Sequence, residues 1–231
     1  MTGMNRSSVI ALCFALAALT AASAWAQQIG GAQYPIKASD GDVIANFKLD
    51  SAMSVKLAAL QAQYPVGNLQ GDVTLMQFYD LNCPYCRAAA ADVDAIVRAD
   101  KKLRLVFVPY AVLSVASVQG ALVEVAAGKL LPPDKFLDFH RRLYANRGTI
   151  DGAKALEAAK DIGLDPAKVV EVGNTQESLD MLRRNATVGG DAKLAATPAY
   201  VIGGVAIIGH PGRKPLENVI AAMRSCGKVV C

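Results

Sequence analysis

The sequence predicts an α/β protein in which a central mixed β-sheet carries helices on both faces and an inserted all-helical subdomain. Within residues 73–108 a β-rich run, a helical pattern and a second β-rich run follow one another, which is the size of a βαβ unit with parallel strands. Residues from about 114 to 194 then have an almost wholly helical pattern. The β pattern returns at 199–208, before a last helix, so the sheet is completed after the insertion.

Length and composition are those of one globular domain with an insertion. The chain has 231 residues, of which 53% are hydrophobic and 19% charged, so an intrinsically disordered chain is excluded. Lys and Arg number 24 against 20 Asp and Glu, and the basic residues occur as scattered pairs rather than as a tract that could follow phosphates. We therefore expect no nucleic-acid partner.

Residues 1–26 have the pattern of a signal peptide for export. Arg6 provides a positive charge, residues 9–19 form an apolar run, and Ala-Trp-Ala at 24–26 places small residues around a cleavage site. An uncleaved membrane anchor is the alternative, but the strongly apolar part is shorter than the ~20 residues that a spanning helix needs. We expect cleavage after Ala26, which would also remove the only tryptophan.

A helix is expected from Asp50 or Ser51 to about Gln63, within an N-terminal extension that covers residues 27–65. Apolar residues recur on one stripe of this helix, at Met53, Leu57, Leu60 and Tyr64. Such a stripe most often packs on its own domain. It could also join copies of the chain into a homo-oligomer through residues 50–64.

The main domain is expected to span residues 66–231. The remaining elements follow from apolar runs and turn residues: strands at about 43–49, 73–79 and 103–108, a helix to about Arg98, a hairpin of 199–202 and 205–208 around Gly203-Gly204, and a closing helix at 215–224. The helical insertion, about 114–194, is expected to break at 128–133, 147–151, 163–166 and 173–174.

Four cysteines remain after the predicted cleavage, because Cys13 lies in the segment that is removed. They are Cys83, Cys86, Cys226 and Cys231. An exported chain meets an oxidising compartment, so two disulfides are expected unless one pair is catalytic or metal-binding. The C-x-x-C spacing makes the first pair the candidate for chemistry.

The segment Cys83-Pro84-Tyr85-Cys86 lies where a predicted strand passes into a helix. The first sulfur is therefore beside unpaired N–H groups at the positive end of the helix dipole, where a thiolate is stabilised. We expect a lowered pKa for Cys83, and a protonated, more buried Cys86 one turn into the helix. Cys83 is then the attacking or attacked sulfur, and Cys86 the one that resolves a mixed disulfide.

Two plainer interpretations of this pair are a structural disulfide and a zinc site. A bridge across the start of a helix is strained and easily reduced, which suits exchange better than stability. Zinc would need further ligands from His140, His210 or the C-terminal cysteines, whose spacing matches no zinc pattern. Both histidines are expected to be surface or packing residues, and neither a metal nor a cofactor is expected.

Cys226 and Cys231 lie beyond the last predicted helix. The intervening residues allow a small disulfide to close, and an oxidising compartment favours it. A second redox pair and a soft-metal site are the alternatives.

The chain resembles the DsbA-type thioredoxin fold of periplasmic thiol–disulfide oxidoreductases in a series of segments: FYDLNCPYC with the Ala-rich helix after it, LRLVFVPYAVL, the helical insertion, and ATPAYVIGG with its closing helix. The resemblance covers about residues 66–223. It implies a thioredoxin-like fold, a periplasmic location, and a cis bond before Pro198 in a loop that faces the active site. Thr197, Pro198, Pro84 and Tyr85 are then expected to bind the substrate. An ordinary trans proline before an edge strand is the alternative.

Within that family, the combination of Cys-Pro-Tyr-Cys with Thr rather than Val before the expected cis-proline is similar to the suppressor-of-copper-sensitivity protein C group and to disulfide isomerases, more than to the strongest general oxidants. One departure from the family concerns the strand before the cysteines. Many relatives have Glu six residues before the first cysteine, thought to help move the proton of the buried thiol, and this chain has Gln77 there. Because an amide cannot accept that proton, we expect slower release from Cys86 unless water or Asp80 substitutes.

The leading hypothesis is an exported oxidoreductase that forms, reduces or isomerises disulfides in cysteine-containing client proteins. The motif does not fix the reduction potential, and a membrane redox partner is expected to re-oxidise or re-reduce Cys83 and Cys86. The alternative is a periplasmic copper-binding or copper-protection protein, since two soft thiolates select Cu(I). The sequence has no phosphate-binding glycine loop, serine-hydrolase elbow or zinc-protease helix, which leaves those activities without support.

Overall fold

The computed structural model describes residues 31–231, so the predicted signal peptide, residues 1–26, lies outside the described part of the chain. Six strands form one sheet: β1 (Asn46–Lys48), β2 (Tyr64–Gly67), β3 (Val73–Tyr79), β4 (Leu103–Pro109), β5 (Ala199–Ile202) and β6 (Val205–Ile208). Eight helices are described: α1 (Ser51–Ala58), α2 (Pro84–Ala99), α3 (Val115–Leu130), α4 (Pro133–Ala145), α5 (Gly152–Asp161), α6 (Pro166–Gly173), α7 (Gln176–Asp191) and α8 (Arg213–Cys226).

The sheet is mixed, with the order β1-β6-β5-β3-β4-β2. β3 and β4 are parallel neighbours joined by α2, while β5 and β6 form an antiparallel hairpin and β5 pairs antiparallel with β3. The central strands are buried on both faces, which is why they appear in the sequence as nearly continuous apolar runs. The predicted α/β class, with a mixed sheet and an all-helical insertion, is confirmed.

The two faces of the sheet carry separate hydrophobic cores. One core contains apolar residues of α2, α8 and the insertion, together with Leu75, Phe107 and Tyr200 from the strands. The other contains residues of α1 and α7 packed against Met76 and Phe78. Alternate residues of β3 thus enter different cores, as the period of a strand requires.

Helix α1 is shorter than predicted, because it ends at Ala58 rather than near Gln63. Residues 64–67, which include Pro65, form strand β2 instead, paired antiparallel with β4 at the edge of the sheet. A proline ends a helix, but it is also accepted in an edge strand, where one side of the backbone needs no partner. The predicted first strand is likewise reduced to Asn46–Lys48.

The apolar stripe of the N-terminal extension is divided between the two cores. Met53, Leu57 and Leu60 are buried in the core beneath α1, whereas Tyr64 lies in β2 and enters the opposite core. These side chains therefore pack within their own chain. The homo-oligomer through residues 50–64 stays a prediction, and it would have to use the outer face of α1, where Val55 is 73% exposed.

The insertion consists of helices α3 to α7, separated close to the predicted breaks. Side chains that accept from backbone N–H groups cap the starts of four of them, at Ser114, Asp151, Asp165 and Thr175. Within residues 31–231, no helix combines the length and the apolar character needed to cross a bilayer.

Candidate active site

Cys83 lies at the junction of β3 and α2, where its residue caps the N-terminus of the helix and Pro84 occupies the first turn. Its neutral thiol donates to the carbonyl oxygen of Thr197, with 3.1 Å between Sγ and O. The Thr197–Pro198 peptide bond is cis. The fold thus brings together the motif and the loop before β5, which are more than a hundred residues apart in sequence.

The environment of Cys83 stabilises its thiolate and lowers its pKa to about 5. The largest cause is the hydrogen bond from the Cys86 thiol; hydrogen bonding by the Thr197 side chain and by the backbone of Cys86 and Tyr85 adds to it, and burial opposes it. A sulfur at the start of a helix is well placed for such bonds, because the first N–H groups of the helix have no partner within it.

Cys86 is fully buried one turn into α2. Burial raises the pKa of its thiol, and the neighbouring Cys83 raises it further. The two sulfurs therefore differ as an attacking thiolate and a protonated resolving thiol should.

Asp80 fixes the loop that carries the two cysteines. Its carboxylate accepts from the backbone N–H groups of Asn82 at 2.8 Å, Val112 at 2.9 Å and Leu113 at 3.0 Å, and the side chain is buried. Its own carbonyl oxygen accepts from the Cys83 N–H at 3.1 Å. These hydrogen bonds make Asp80 a structural anchor of the loop, and its role as a proton acceptor for Cys86 stays a prediction.

Asn82 connects the cysteine loop to the helical insertion. Its side-chain oxygen accepts from the Ile150 N–H at 2.7 Å, and its amide nitrogen donates to the Ile150 carbonyl at 3.0 Å and to Ser117 Oγ at 3.2 Å. Sequence reasoning missed this role, although the position of Asn82 directly before Cys83 was a signal that could have found it.

Arg87, directly after the second cysteine, ties α2 to the end of α4. Its guanidinium donates to the carbonyl oxygens of Tyr144 at 2.8 Å and Gly148 at 3.0 Å, and also to that of Asn146. A planar group with several donors suits three carbonyls at the end of a helix. This residue was also missed, because its partners lie about sixty residues away in sequence.

Exposed apolar side chains lie in the cysteine loop and in the segment that hydrogen-bonds to it. Four large side chains near the cysteine loop and the start of α3 are half or more exposed: Tyr85, Val112, Leu113 and Val115. Tyr85 belongs to the motif itself, and the backbones of Val112 and Leu113 are held by Asp80. Cys83 and Thr197 are nevertheless only 5% and 8% exposed, so a partner must approach closely to reach the sulfur.

Gln77 is buried in the middle of β3, where Phe107 and Tyr200 are its register partners on the two neighbouring strands. Its side-chain oxygen has no hydrogen-bond partner among the described residues. The amide therefore leaves a polar acceptor on the same face of the sheet as the core that contains Cys86, but no group that can take up a proton.

The remaining predicted residues lie apart from the motif. A disulfide joins Cys226, the last residue of α8, to Cys231, so Cys226 ends the closing helix rather than following it as predicted. His140 is buried among aromatic rings and pairs with Glu124 at 2.6 Å, while His210 hydrogen-bonds to Tyr200 and Asp92.

Within residues 31–231, no group of three or more His, Cys, Asp and Glu residues is arranged to hold a metal ion. The copper hypothesis assigns the sulfurs of Cys83 and Cys86 as the metal ligands. Titration with Cu(I) of the Cys83→Ser variant would test it, because undiminished tight binding would show that this pair is not the metal site.

A comparison with protein families links this site to a known group. The family model described as thioredoxin matches residues 60–222, a range that includes Cys83, Cys86 and the cis-proline. The chain belongs to the thioredoxin family. No curated protein matches it.

Solved structures place this thioredoxin-family chain near DsbA-like proteins. A thioredoxin-like oxidoreductase from Silicibacter pomeroyi DSS-3 is 29% identical, with a TM-score of 0.64 over 70% of this chain and 92% of the other. The catalytic domain of Proteus mirabilis ScsC is 22% identical, with a TM-score of 0.66 over 75% and 97% of the two chains. The thiol–disulfide exchange protein α-DsbA2 from Wolbachia pipientis is 21% identical, with a TM-score of 0.65 over 74% and 96%. The resemblance to DsbA-type thioredoxin folds is thereby confirmed.

Proposed function

We propose that the protein is a thiol–disulfide oxidoreductase that acts on cysteine-containing client proteins, with Cys83 as the attacking sulfur and Cys86 as the resolving sulfur. The observation that carries this proposal is the geometry at the start of α2, where the Cys83 sulfur faces Thr197 beside a cis-proline and Cys86 is buried one turn behind it. A lowered pKa for Cys83 and a raised pKa for Cys86 suit these two roles.

The reductive half of the reaction has two steps. The Cys83 thiolate attacks one sulfur of a client disulfide; a mixed disulfide forms, and the other client sulfur leaves with the electron pair as a thiolate. Cys86 then loses its proton and attacks the Cys83 sulfur, which releases the second client thiolate and leaves Cys83 and Cys86 joined. Two electrons pass to the client, and the reverse sequence oxidises a client dithiol.

The exposed apolar side chains near the cysteine loop form the proposed binding site for an unfolded or flexible client segment. Tyr85, Val112, Leu113 and Val115 offer hydrophobic contacts without fixed side-chain geometry, which suits clients of differing sequence. Pro84, Thr197 and Pro198 would then contact the backbone next to the client cysteine, since extended peptides bind most readily along exposed backbone.

The proposed location is the periplasm. The export pattern of residues 1–26 supports it, and a periplasmic thioredoxin-like protein from Salmonella enterica serovar Typhimurium is among the similar structures, at 23% identity. In that compartment a membrane redox partner would restore the Cys83–Cys86 pair after each turnover. The direction of the net reaction, as oxidase, reductase or isomerase, follows from the reduction potential of this pair.

Trapping the mixed disulfide tests the proposal. The Cys86→Ser variant, mixed with a peptide disulfide, should accumulate a covalent adduct on Cys83, because the resolving sulfur is gone. The matched Cys83→Ser variant should form none. An adduct on Cys226 or Cys231, or no adduct at all, would contradict the proposed roles.

The reduction potential should be measured in glutathione buffers on a variant with Cys226 and Cys231 replaced by Ser. Mass-tagging of free thiols is the suitable readout, because Trp25 is the only tryptophan and lies in the predicted signal peptide. A potential of about −120 to −180 mV would indicate a disulfide donor or isomerase, and one near about −270 mV a reductant.

A further inference from the structure

The buried thiol of Cys86 needs a proton acceptor, and Gln77 and Asp80 are not suited to that role. The resolving step requires this thiol to lose its proton inside the protein. Gln77 cannot take up a proton, and the Asp80 carboxylate is occupied by three backbone N–H groups. A route for the proton therefore has to begin elsewhere on the face of the sheet whose core contains Cys86.

A hydrogen-bonded chain of three side chains runs from that face to the surface. The Tyr200 hydroxyl is 2.8 Å from His210 Nδ1, and His210 Nε2 is 3.0 Å from the Asp92 carboxylate. Tyr200 lies in β5, two residues after the cis-proline; His210 follows β6; and Asp92 is in α2, the helix that begins at the active site. Three separate elements thus contribute to one connected chain.

The solvent exposure of the three hydrogen-bonded residues increases from Tyr200 through His210 to Asp92. The Tyr200 residue is fully buried, the His210 side chain is 14% exposed and the Asp92 side chain is 39% exposed. Tyr200 belongs to the same hydrophobic core as Cys86 and is the register partner of Gln77 on the adjacent strand. Burial, and after it the charge of Cys86, raises the pKa of the Tyr200 hydroxyl, which places the two groups close together. The chain therefore connects the interior beside Cys86 with solvent.

The hydrogen-bond roles follow from the carboxylate. A carboxylate only accepts, so His210 Nε2 carries a hydrogen and donates to Asp92. In the neutral ring Nδ1 is then free to accept from the Tyr200 hydroxyl. This is the arrangement in which a histidine can take a proton from the interior side, with the imidazolium stabilised by the carboxylate on its other side.

We propose that Tyr200, His210 and Asp92 form a proton relay that takes the proton of Cys86 to solvent in the resolving step of the proposed reaction. The connection between Cys86 and Tyr200 requires one bridging water molecule, and the buried Gln77 side-chain oxygen, which has no partner among the described residues, is the acceptor that we propose for it. This inference rests on the proposed function and assigns a positioning role to Gln77.

The proton moves from Cys86 to solvent through a series of transfers along the hydrogen-bonded side chains. The Cys86 S–H bond breaks, the bridging water receives that proton and passes one of its own to the Tyr200 oxygen, and the Tyr200 O–H proton moves to His210 Nδ1. The Cys86 thiolate attacks the Cys83 sulfur, and the client sulfur leaves with the electron pair. His210, now an imidazolium beside Asp92, releases its proton to solvent. In the oxidative direction each transfer is reversed.

The other titratable groups that face Cys86 are less suited to this task. Cys83 is covalently bound to the client when Cys86 must react, and the Tyr144 hydroxyl donates to the Asp80 carbonyl at 3.3 Å. The Tyr79 hydroxyl lies near the pair of Glu124 and His140, whose side chains are 0% and 5% exposed. An enclosed pair can hold a proton, but it has no exposed member through which to discharge it.

The test measures the two chemical steps separately in three variants, Tyr200→Phe, His210→Gln and Asp92→Asn. Reduced protein is mixed with a peptide disulfide, the reaction is stopped with acid, and the mixed disulfide is followed by intact mass. Tyr64→Phe is the matched control, because it removes a buried hydroxyl that contacts Val125 and Met181 instead. Thermal unfolding of each variant reports whether the fold is kept.

We expect the first step to be unchanged and the decay of the mixed disulfide to slow at least about tenfold at neutral pH in the relay variants, but not in Tyr64→Phe. The difference should shrink at alkaline pH, where hydroxide removes the Cys86 proton directly. Asp92→Glu should recover most of the rate, because it restores a carboxylate acceptor.

Two results would overturn the inference. The first is decay of the mixed disulfide within about twofold of the parent protein in the half-exposed Asp92→Asn variant, which should fold normally. The second is an equal slowing at all pH values, which indicates a purely structural effect. Failure of the first step in the parent protein would instead contradict the proposed function itself.

Discussion

At the scale of single residues, the proposed active site depends on two sulfurs that lie in the same turn of helix and experience opposite environments. Cys83 is at the helix start with hydrogen-bond donors around it, whereas Cys86 is enclosed. The thiol of Cys86 is itself the largest cause of the lowered pKa of Cys83. Each cysteine therefore sets the reactivity of the other.

The rate of alkylation of Cys83 by iodoacetamide should rise with a midpoint near pH 5 and then level off, because its thiol has a pKa of about 5. Replacing Cys86 by Ala removes the donor and should move the midpoint upward, while Cys86→Ser, which keeps a hydroxyl, should move it less. A midpoint near the ordinary value of 9.0 in the parent protein would show that the thiolate is not stabilised.

The free energy of unfolding of the reduced protein should increase with pH between about pH 5 and pH 9.0. The folded pKa of Cys83 is about 5 and the ordinary value is 9.0, so between these values the unfolded chain binds more protons and the free energy of unfolding rises with pH. The raised pKa of Cys86 acts only above the ordinary value. Denaturant unfolding, followed by circular dichroism, measures the free energy of unfolding of the parent protein and of Cys83→Ser. The difference between the two should rise with pH, and a difference that does not change with pH would contradict the prediction.

Asp80→Asn should lower the free energy of unfolding by about 1–3 kcal/mol, because an amide leaves at least one of the buried N–H donors from Asn82, Val112 and Leu113 without an acceptor. Urea denaturation is the measurement. Asp42→Asn makes the same chemical change at an exposed carboxylate and should have little effect. Equal losses in both variants would show that the anchoring bonds contribute nothing.

The sequence located the cysteines well but not the residues that support them. Cys83 and Cys86 are separated by only two residues and form a local pattern, so their spacing was informative. Tyr200, His210 and Asp92 come together only through the folded sheet, with 118 positions between the last two. No local pattern could reveal such a chain, and His210 was expected to be a surface or packing residue.

At the scale of elements, the close approach of β2 to α3 depends on a glycine in the helix. A methyl group at Gly128 would overlap the ring of Tyr64, whose hydroxyl donates to the Val125 carbonyl in the same helix. The contact closes one side of the core that lies beneath the insertion. This contact therefore fixes the positions of α3 and β2 relative to each other.

Gly128→Ala should lower the free energy of unfolding by about 1–3 kcal/mol, because the overlap with a ring outweighs the better helix propensity of alanine. The matched control is Gly190→Ala in α7, where the added methyl group meets nothing within 4 Å and stability should rise by up to about 1 kcal/mol. Thermal unfolding of both variants checks the prediction. Stabilisation of the Gly128 variant would be inconsistent with the packing.

The helices and central strands were predictable because their apolar periodicity and capping residues are local. Strand β2 was not, since four residues that include Pro65 contain no strand pattern, and their conformation is set by pairing with β4. The end of α1 was predicted too late for the same reason, because residues 64–67 were not recognised as a strand. The edge of the sheet could not be predicted from the sequence, because the conformation of an edge strand depends on the strand with which it pairs.

At the scale of the whole molecule, the terminal disulfide should contribute to stability and not to catalysis. It closes a short loop, with a sequence separation of 5, so replacing Cys226 and Cys231 by Ser should cost about 2 kcal/mol or less. The rate of the Cys83 reaction should be unchanged. Loss of client reduction in the double variant would point instead to a second redox pair.

The two outer strands of the sheet determine how the chain can meet other chains. β1 has three residues and ends at Lys48, and β2 has four and contains Pro65. Short edges with a lysine or a proline are poor templates for strand addition, and they protect natural sheets from edge-to-edge aggregation. Under the proposed function, the partly unfolded client segments that this protein binds would find no sheet edge to extend, which should limit its aggregation with them.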